Sequence, residues 1–177
     1  MLFRSRSQHE LVYVYKVGDE PHRNGVELGR HGRSRSNVWN YPGASSFKAG
    51  GREELVWHPT VKPVAMVADA MRDCSVKGEI VLDTFLGSGT TLIAAERVGR
   101  KCRGLEYEPK YIDVAIKRWQ ALTKLEAICA ATGKTFDEIA AERAGVPNGD
   151  GPLATALSGA AAALNDRAQV AVVGGVQ

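Results

Sequence analysis

The segment that most constrains this chain is Asp83-Thr84-Phe85-Leu86-Gly87-Ser88-Gly89-Thr90, set between an apolar run and a helical pattern. Residues 79–85 (EIVLDTF) read as a strand. Its Ile80-Val81-Leu82 run is continuous rather than alternating, as in a parallel sheet covered on both faces. Residues 90–98 place Leu92, Ile93, Ala95 and Val98 for packing on one helix, which Gly99 stops. Between them, Gly87 and Gly89 let the backbone approach a ligand closely, and a helix N-terminus favours an anionic group. Residues 101–106 give a second short strand ending in Glu106. Open α/β sheets bind ligands at that carboxyl end, where an acid can hold ribose hydroxyls. Strand, glycine turn, helix, strand and acid in this order point to an adenosine-containing cofactor. The alternative is a tight turn that needs glycine only for its positive φ.

The flanking sequence extends the same architecture. Residues 63–74 carry Val64, Met66, Val67, Ala70, Met71 and Cys74 at helical spacing, with Pro63 suited to the first turn. Residues 109–122 present Ile112, Ala115, Ile116, Trp119 and Leu122 on one helical face. A β-α-β-α run with short turns implies an α/β fold with a parallel-sheet core flanked by helices. Residues 9–16 (HELVYVYK) alternate apolar and polar character and read as a further strand. Thr135 and Glu138 make a capping box for a helix over 136–143. Residues 146–177 are rich in Ala and Gly. A helix over 153–164 is compatible with them, but the expectation is a poorly ordered tail.

Composition excludes several classes. No apolar run is long enough to span a bilayer, and the first ten residues lack the apolar stretch of a signal peptide, so cytoplasm is the expected location and no membrane partner is implied. Cys74, Cys102 and Cys129 are far apart, with no zinc spacing, and read as reduced thiols; no metal is expected. Net charge is only +3, but its distribution matters more. Between Glu27 and Glu53 there is no acid, whereas Arg30, Arg33, Arg35, Lys48 and Arg52 occur there with Trp39, Tyr41 and Phe47. Basic and aromatic residues in one irregular stretch suit a phosphate backbone and unstacked bases; a solvated loop is the plainer reading. Leu92 stands where a dinucleotide fingerprint wants its third glycine, which disfavours NAD and an oxidoreductase. Gly133-Lys134-Thr135 imitates the end of a P-loop, but Ile128 replaces that motif's first glycine.

Taken together, His58-Pro59-Thr60-Val61-Lys62-Pro63, the Asp83–Thr90 element and Gly104-Leu105-Glu106-Tyr107 resemble motifs X, I and II of the β-group DNA amino-methyltransferases. The resemblance covers residues 3 to about 143, and 6–16 resemble the motif VIII region. It implies a partial Rossmann-like class I methyltransferase fold, S-adenosyl-L-methionine as cofactor and double-stranded DNA as substrate. Methylation would be site-specific, at adenine N6 in preference to cytosine N4. Carried over residue by residue, Asp83, Phe85, Gly87, Gly89 and Thr90 would line the methionine and adenosine side. Glu106 would accept from the ribose hydroxyls, and Thr60 and Lys62 would border the methionine end. His58 is expected to be structural. Arg30, Arg33, Arg35, Trp39, Lys48 and Arg52 fall where target-recognition and DNA contacts lie. The implied organisation is 1–57 for the strand and basic segment, 58–123 for the cofactor unit, 124–145 for a helical extension and 146–177 for the tail.

Two departures from the family pattern follow. Thr84 stands where the family has Pro, which loosens the turn by less than about 1 kcal/mol. More consequential, no [DNS]-P-P-[YFW] tetrapeptide occurs, the element that holds the amine of a flipped base. Asn40-Tyr41-Pro42-Gly43 has the wrong order, and Glu108-Pro109-Lys110-Tyr111 the wrong third residue. The expectation is a truncated or split enzyme, inactive alone, or else a cofactor- and DNA-binding remnant without chemistry. A second chain carrying the catalytic half, or a homodimer, would satisfy the sheet edge left beside Asp83.

Overall fold

The computed structural model describes residues 9–30, 36–42 and 62–144, and the backbone of 169–172. The fold is α/β, and its elements begin with α1 (Val64–Cys74), preceded by Pro63 at φ −60°. Of the spacing read from the sequence, Met71 is buried with Val64 and Val67 packed beside it; Ala68, outside that spacing, is buried as well, and Cys74 is exposed. Past the helix end, the Arg100 guanidinium donates to the Ser75 hydroxyl (3.0 Å), the Ser75 carbonyl (2.6 Å) and the Val98 carbonyl (2.5 Å). The chain then forms β1 (Ile80–Asp83), α2 (Thr90–Val98) and β2 (Lys101–Glu106). Gly99 ends α2 in the left-handed region, where its N–H reaches back to the Ala95 and Glu96 carbonyls. Next come α3 (Pro109–Thr123) and α4 (Phe136–Ala144). At α4 the capping box forms as read: the Glu138 N–H donates to the Thr135 hydroxyl (3.2 Å) and the Thr135 N–H to the Glu138 carboxylate (2.7 Å).

The sheet is parallel, in the order β1-β2-β3, where β3 is Gln169–Val172. Ile80 pairs with Lys101 and Asp83 with Gly104; Arg103 pairs with Gln169 and Glu106 with Val172. Helices α1, α2 and α3 supply the core on one face. Ala68, Met71, Leu86, Leu92, Ala94, Ala95, Val98 and Ala115 pack there with Cys102 of β2 and against Val81 of β1. Among the described residues, no helix is long and apolar enough to cross a membrane.

Three expectations are corrected. Among the described residues, 9–16 join no ladder, and Leu11, Val12, Tyr13, Val14 and Tyr15 are exposed. Alternation marks side chains fit for a sheet, but a strand also needs a neighbouring edge to take its N–H and C=O groups. The Ile80-Val81-Leu82 run is covered on one face only: Ile80 is 63% and Leu82 64% exposed, on the face opposite the helices. Finally, the tail is not irregular throughout, because Gln169–Val172 is β3. A four-residue strand is diluted in an Ala- and Gly-rich stretch. The helix considered over 153–164 lies outside the described residues.

Candidate functional site

The carboxyl ends of β1 and β2 meet at the glycine turn, and local chemistry fixes that turn from several directions. Leu86 leaves β1 buried, its N–H donating to the Leu105 carbonyl (2.9 Å). Its side chain fills the space over Gly104, where an added Cβ would come within 2.7 Å of it. Gly87 (φ +55°) and Gly89 (φ +83°) then turn the backbone into α2. Gly89 passes so close to α3 that a Cβ there would lie 2.7 Å from the Ala115 Cβ. Two reasons therefore demand glycine at 89, the dihedral and the space.

Two carboxylates order the site. The Asp83 carboxylate accepts from the Phe85 N–H (3.0 Å), folding the residues after β1 back on themselves. The Glu106 carboxylate joins the two strand ends: one oxygen accepts from the Gly87 N–H (2.6 Å), the other from the Glu108 N–H (3.0 Å). The structure thus brings Asp83, Phe85, Gly87, Gly89, Thr90 and Glu106 together. Thr90 is buried as the first residue of α2, whereas the Phe85 ring stands 89% exposed at the lip. Tyr107, just past Glu106, is also exposed. The arrangement offers acceptors for hydroxyl groups and a backbone that an extended ligand can approach. Among the described residues, no group of three His, Cys, Asp or Glu could hold a metal ion.

The Lys62 ammonium pairs with Glu10 at 2.5 Å, a contact that nothing in the sequence spacing signals. Thr60 lies outside the described residues, as do Arg33, Arg35, Lys48 and Arg52. Arg30 is exposed and pairs with Glu27 (3.6 Å), and Trp39 is half-buried. The basic segment is anchored on α1 and before β1. The Gly25 N–H donates to the Asp73 carbonyl (2.7 Å), Arg23 pairs with Glu79 (2.8 Å), and the Tyr41 hydroxyl bonds Asp69. Glu79 precedes β1, so the Arg23 anchor sits at the opposite end of that strand from the glycine turn.

The cysteines are free: Cys74 exposed, Cys102 buried and Cys129 half-buried. Burial pushes the Cys102 thiol up to about 12, and the Asp83 charge adds to that, so it is a packing residue. Sequence reading missed Arg118, which reaches from α3 to the turn and donates to the Ser88 carbonyl (2.7 Å) and hydroxyl (3.1 Å). It also missed Ala115 and Gly104 as steric partners of the turn. Apolar periodicity does not single out an arginine on a polar helix face or the spacing of two backbones.

Comparison with known proteins gives a consistent family. A family model described as DNA methylase, of the N6/N4 methyltransferase type, matches residues 4–117. The type II methyltransferase M.ScaI of Streptomyces caespitosus is 34% identical over 90 residues, covering 51% of this chain and 30% of that protein. The DNA adenine methyltransferase YhdJ of Escherichia coli K12 is 32% identical over 115 residues, 65% of this chain and 35% of that protein. A Thermus thermophilus protein described as a putative DNA modification methylase, solved with S-adenosyl-L-methionine, is 41% identical, with a TM-score of 0.33. The match covers 36% of this chain and 26% of that one. The chain thus spans between 30% and 35% of the length of these two sequence relatives.

Proposed function

The chain belongs to the N6/N4 DNA methylase family, and from that premise we propose that it is the S-adenosyl-L-methionine-binding part of a site-specific DNA amino-methyltransferase. The observation that carries this reading is the 2.6 Å contact between the Gly87 N–H and the Glu106 carboxylate. It puts a side-chain-free backbone and a ribose-type acceptor within one nucleoside's reach. A cofactor with a sugar and an amino-acid end fits that chemistry. Glu106 accepts from its ribose hydroxyls, Asp83, Phe85, Gly87, Gly89 and Thr90 line its methionine and adenosine side, and Thr60 and Lys62 border the methionine end. When bound, S-adenosyl-L-methionine would supply an electrophilic methyl group to an exocyclic amine, which would lose a proton, with the thioether S-adenosyl-L-homocysteine as the leaving group.

The substrate is double-stranded DNA, with adenine N6 ahead of cytosine N4. The similarity to an E. coli protein named for adenine supports this order. Arg30, Arg33, Arg35, Trp39, Lys48 and Arg52 would contact the phosphates and bases. A DNA-modifying role fits the cytoplasm. The [DNS]-P-P-[YFW] element that would hold the flipped amine is absent from these 177 residues, so the chain does not turn over alone. Its catalytic half comes on another polypeptide segment that pairs with the side of β1 that bears no strand among the described residues and covers Ile80 and Leu82. The exposure of these two side chains supports that arrangement. The test mixes the chain with a polypeptide carrying the missing half and follows tritiated methyl transfer to DNA. Transfer by the mixture and by neither part alone is expected. No transfer from soluble, associated parts favours the second reading, a cofactor- and DNA-binding remnant, whose support is the missing tetrapeptide.

A further inference from the structure

Both sides of the candidate cofactor cradle are braced by one helix. At the start of α3, the Glu108 N–H donates to one Glu106 oxygen (3.0 Å). Further along, Ala115 packs on Gly89, and one turn later Arg118 donates to the Ser88 carbonyl (2.7 Å) and hydroxyl (3.1 Å). The Ser88–Gly89 peptide is therefore held at both ends: its carbonyl accepts from a guanidinium, and its N–H donates to the Leu86 carbonyl (3.0 Å). The Leu86–Gly87 peptide is held likewise, its N–H on Glu106 and its carbonyl accepting from Gly89. Two glycines in left-handed conformations make this loop the part of the site with most backbone freedom. Without outside contacts its peptide planes would sample several orientations.

We propose that Arg118 is a positioning residue for cofactor binding: it fixes the Ser88–Gly89 peptide so that the glycine turn is pre-formed opposite Glu106. This rests on the function proposed above and assigns Arg118 no contact with the cofactor. Arginine suits the task because its charge is permanent and its donors are rigidly arranged, and a charge-assisted bond to a carbonyl outweighs a neutral one.

The test uses the whole chain and its Arg118→Met, Arg118→Lys and Ser88→Ala variants. Two readouts are compared: calorimetric titration with S-adenosyl-L-methionine, and amide hydrogen exchange at Gly87 and Gly89 without ligand. Arg118→Met should weaken binding about tenfold, the scale of one lost charge-assisted hydrogen bond, and speed exchange at these two amides while that of β1 and α1 stays put. Arg118→Lys should recover most of the affinity, since an ammonium still reaches the carbonyl. Ser88→Ala removes only the weaker contact and should change binding about twofold or less, on the scale of a marginal hydrogen bond. If Arg118→Met binds as the parent does with unchanged exchange, the proposal is overturned. If Arg118→Met does not fold, Arg118→Gln takes its place: weaker binding with faster exchange at Gly87 and Gly89 upholds the positioning role, and parent-like affinity and exchange overturn it. A parent chain that does not bind S-adenosyl-L-methionine sinks the cofactor reading itself, and amide exchange alone then judges the clamp.

Discussion

The two faces of the sheet are finished to different degrees. On one, α1, α2 and α3 close over Val81, Cys102 and the Leu86 side chain, and the glycine turn at that end is held by hydrogen bonds from both strands and from α3. On the other, Ile80 and Leu82 face outward with nothing described above them, and the apolar segment 9–16 joins no strand among the described residues. Apolar side chains are placed for burial on both faces, but among the described residues only one has the material to bury them. Packing on the finished face thus governs the stability of the isolated chain, and the bare face governs what the chain does in company.

Paired core substitutions break that contrast most sharply. Leu86→Ala should cost about 2–5 kcal/mol in chemical denaturation, because it empties the space over Gly104. Leu82→Thr should change stability by about 0.5 kcal/mol or less, as surface changes do, yet impair reconstitution with the complementary half. Equal costs would show that the face of Leu82 is already covered in the isolated chain.

Next in size, Gly25→Ala should release the basic segment from α1. The new Cβ would meet the Arg72 carbonyl at 2.2 Å. We expect a loss of about 1–3 kcal/mol and faster proteolysis near residues 18–30, with cofactor affinity unchanged because the anchor is remote from the glycine turn. A parallel drop in affinity would mean that the two ends of the sheet are coupled.

The smallest effect concerns α4. Hydrogen bonds from the Thr135 N–H and hydroxyl hold the Glu138 carboxyl below the ordinary glutamate range, with Lys134 adding to them. A depressed folded value means that the cap's contribution is fully present above the unfolded glutamate value and is lost as pH falls through the folded one. Fraying of α4 should therefore begin only below the ordinary glutamate range, visible in an NMR titration of the Thr135 amide. Glu138→Gln should flatten that titration while leaving the sheet intact.

Elements whose stability comes from local pattern were legible in the sequence. The helix over 90–98, the strand over 101–106, the capping box and the glycine turn with its acid all stand where spacing and turn chemistry put them. What spacing could not supply was partnership. Alternation over 9–16 announced a strand without saying whether an edge existed, and a continuous apolar run at 80–82 announced burial without saying who would provide it. β3 was hidden for the opposite reason: a short valine-bearing segment gains its structure from the waiting edge of β2 rather than from its own surroundings. At the site, Glu106 and the glycines were readable because their chemistry is carried by residue type. Arg118, Ala115 and the Lys62–Glu10 pair depend on which helix face meets which loop.

The most direct measurement is a calorimetric titration of S-adenosyl-L-methionine into the chain and into its Glu106→Ala variant, with folding of both checked by circular dichroism. One cradle built from Gly87 and Glu106 predicts saturable one-to-one binding by the parent and at least about tenfold weaker binding by the variant. Equal affinity in the two proteins, or no heat from a folded parent, would contradict it.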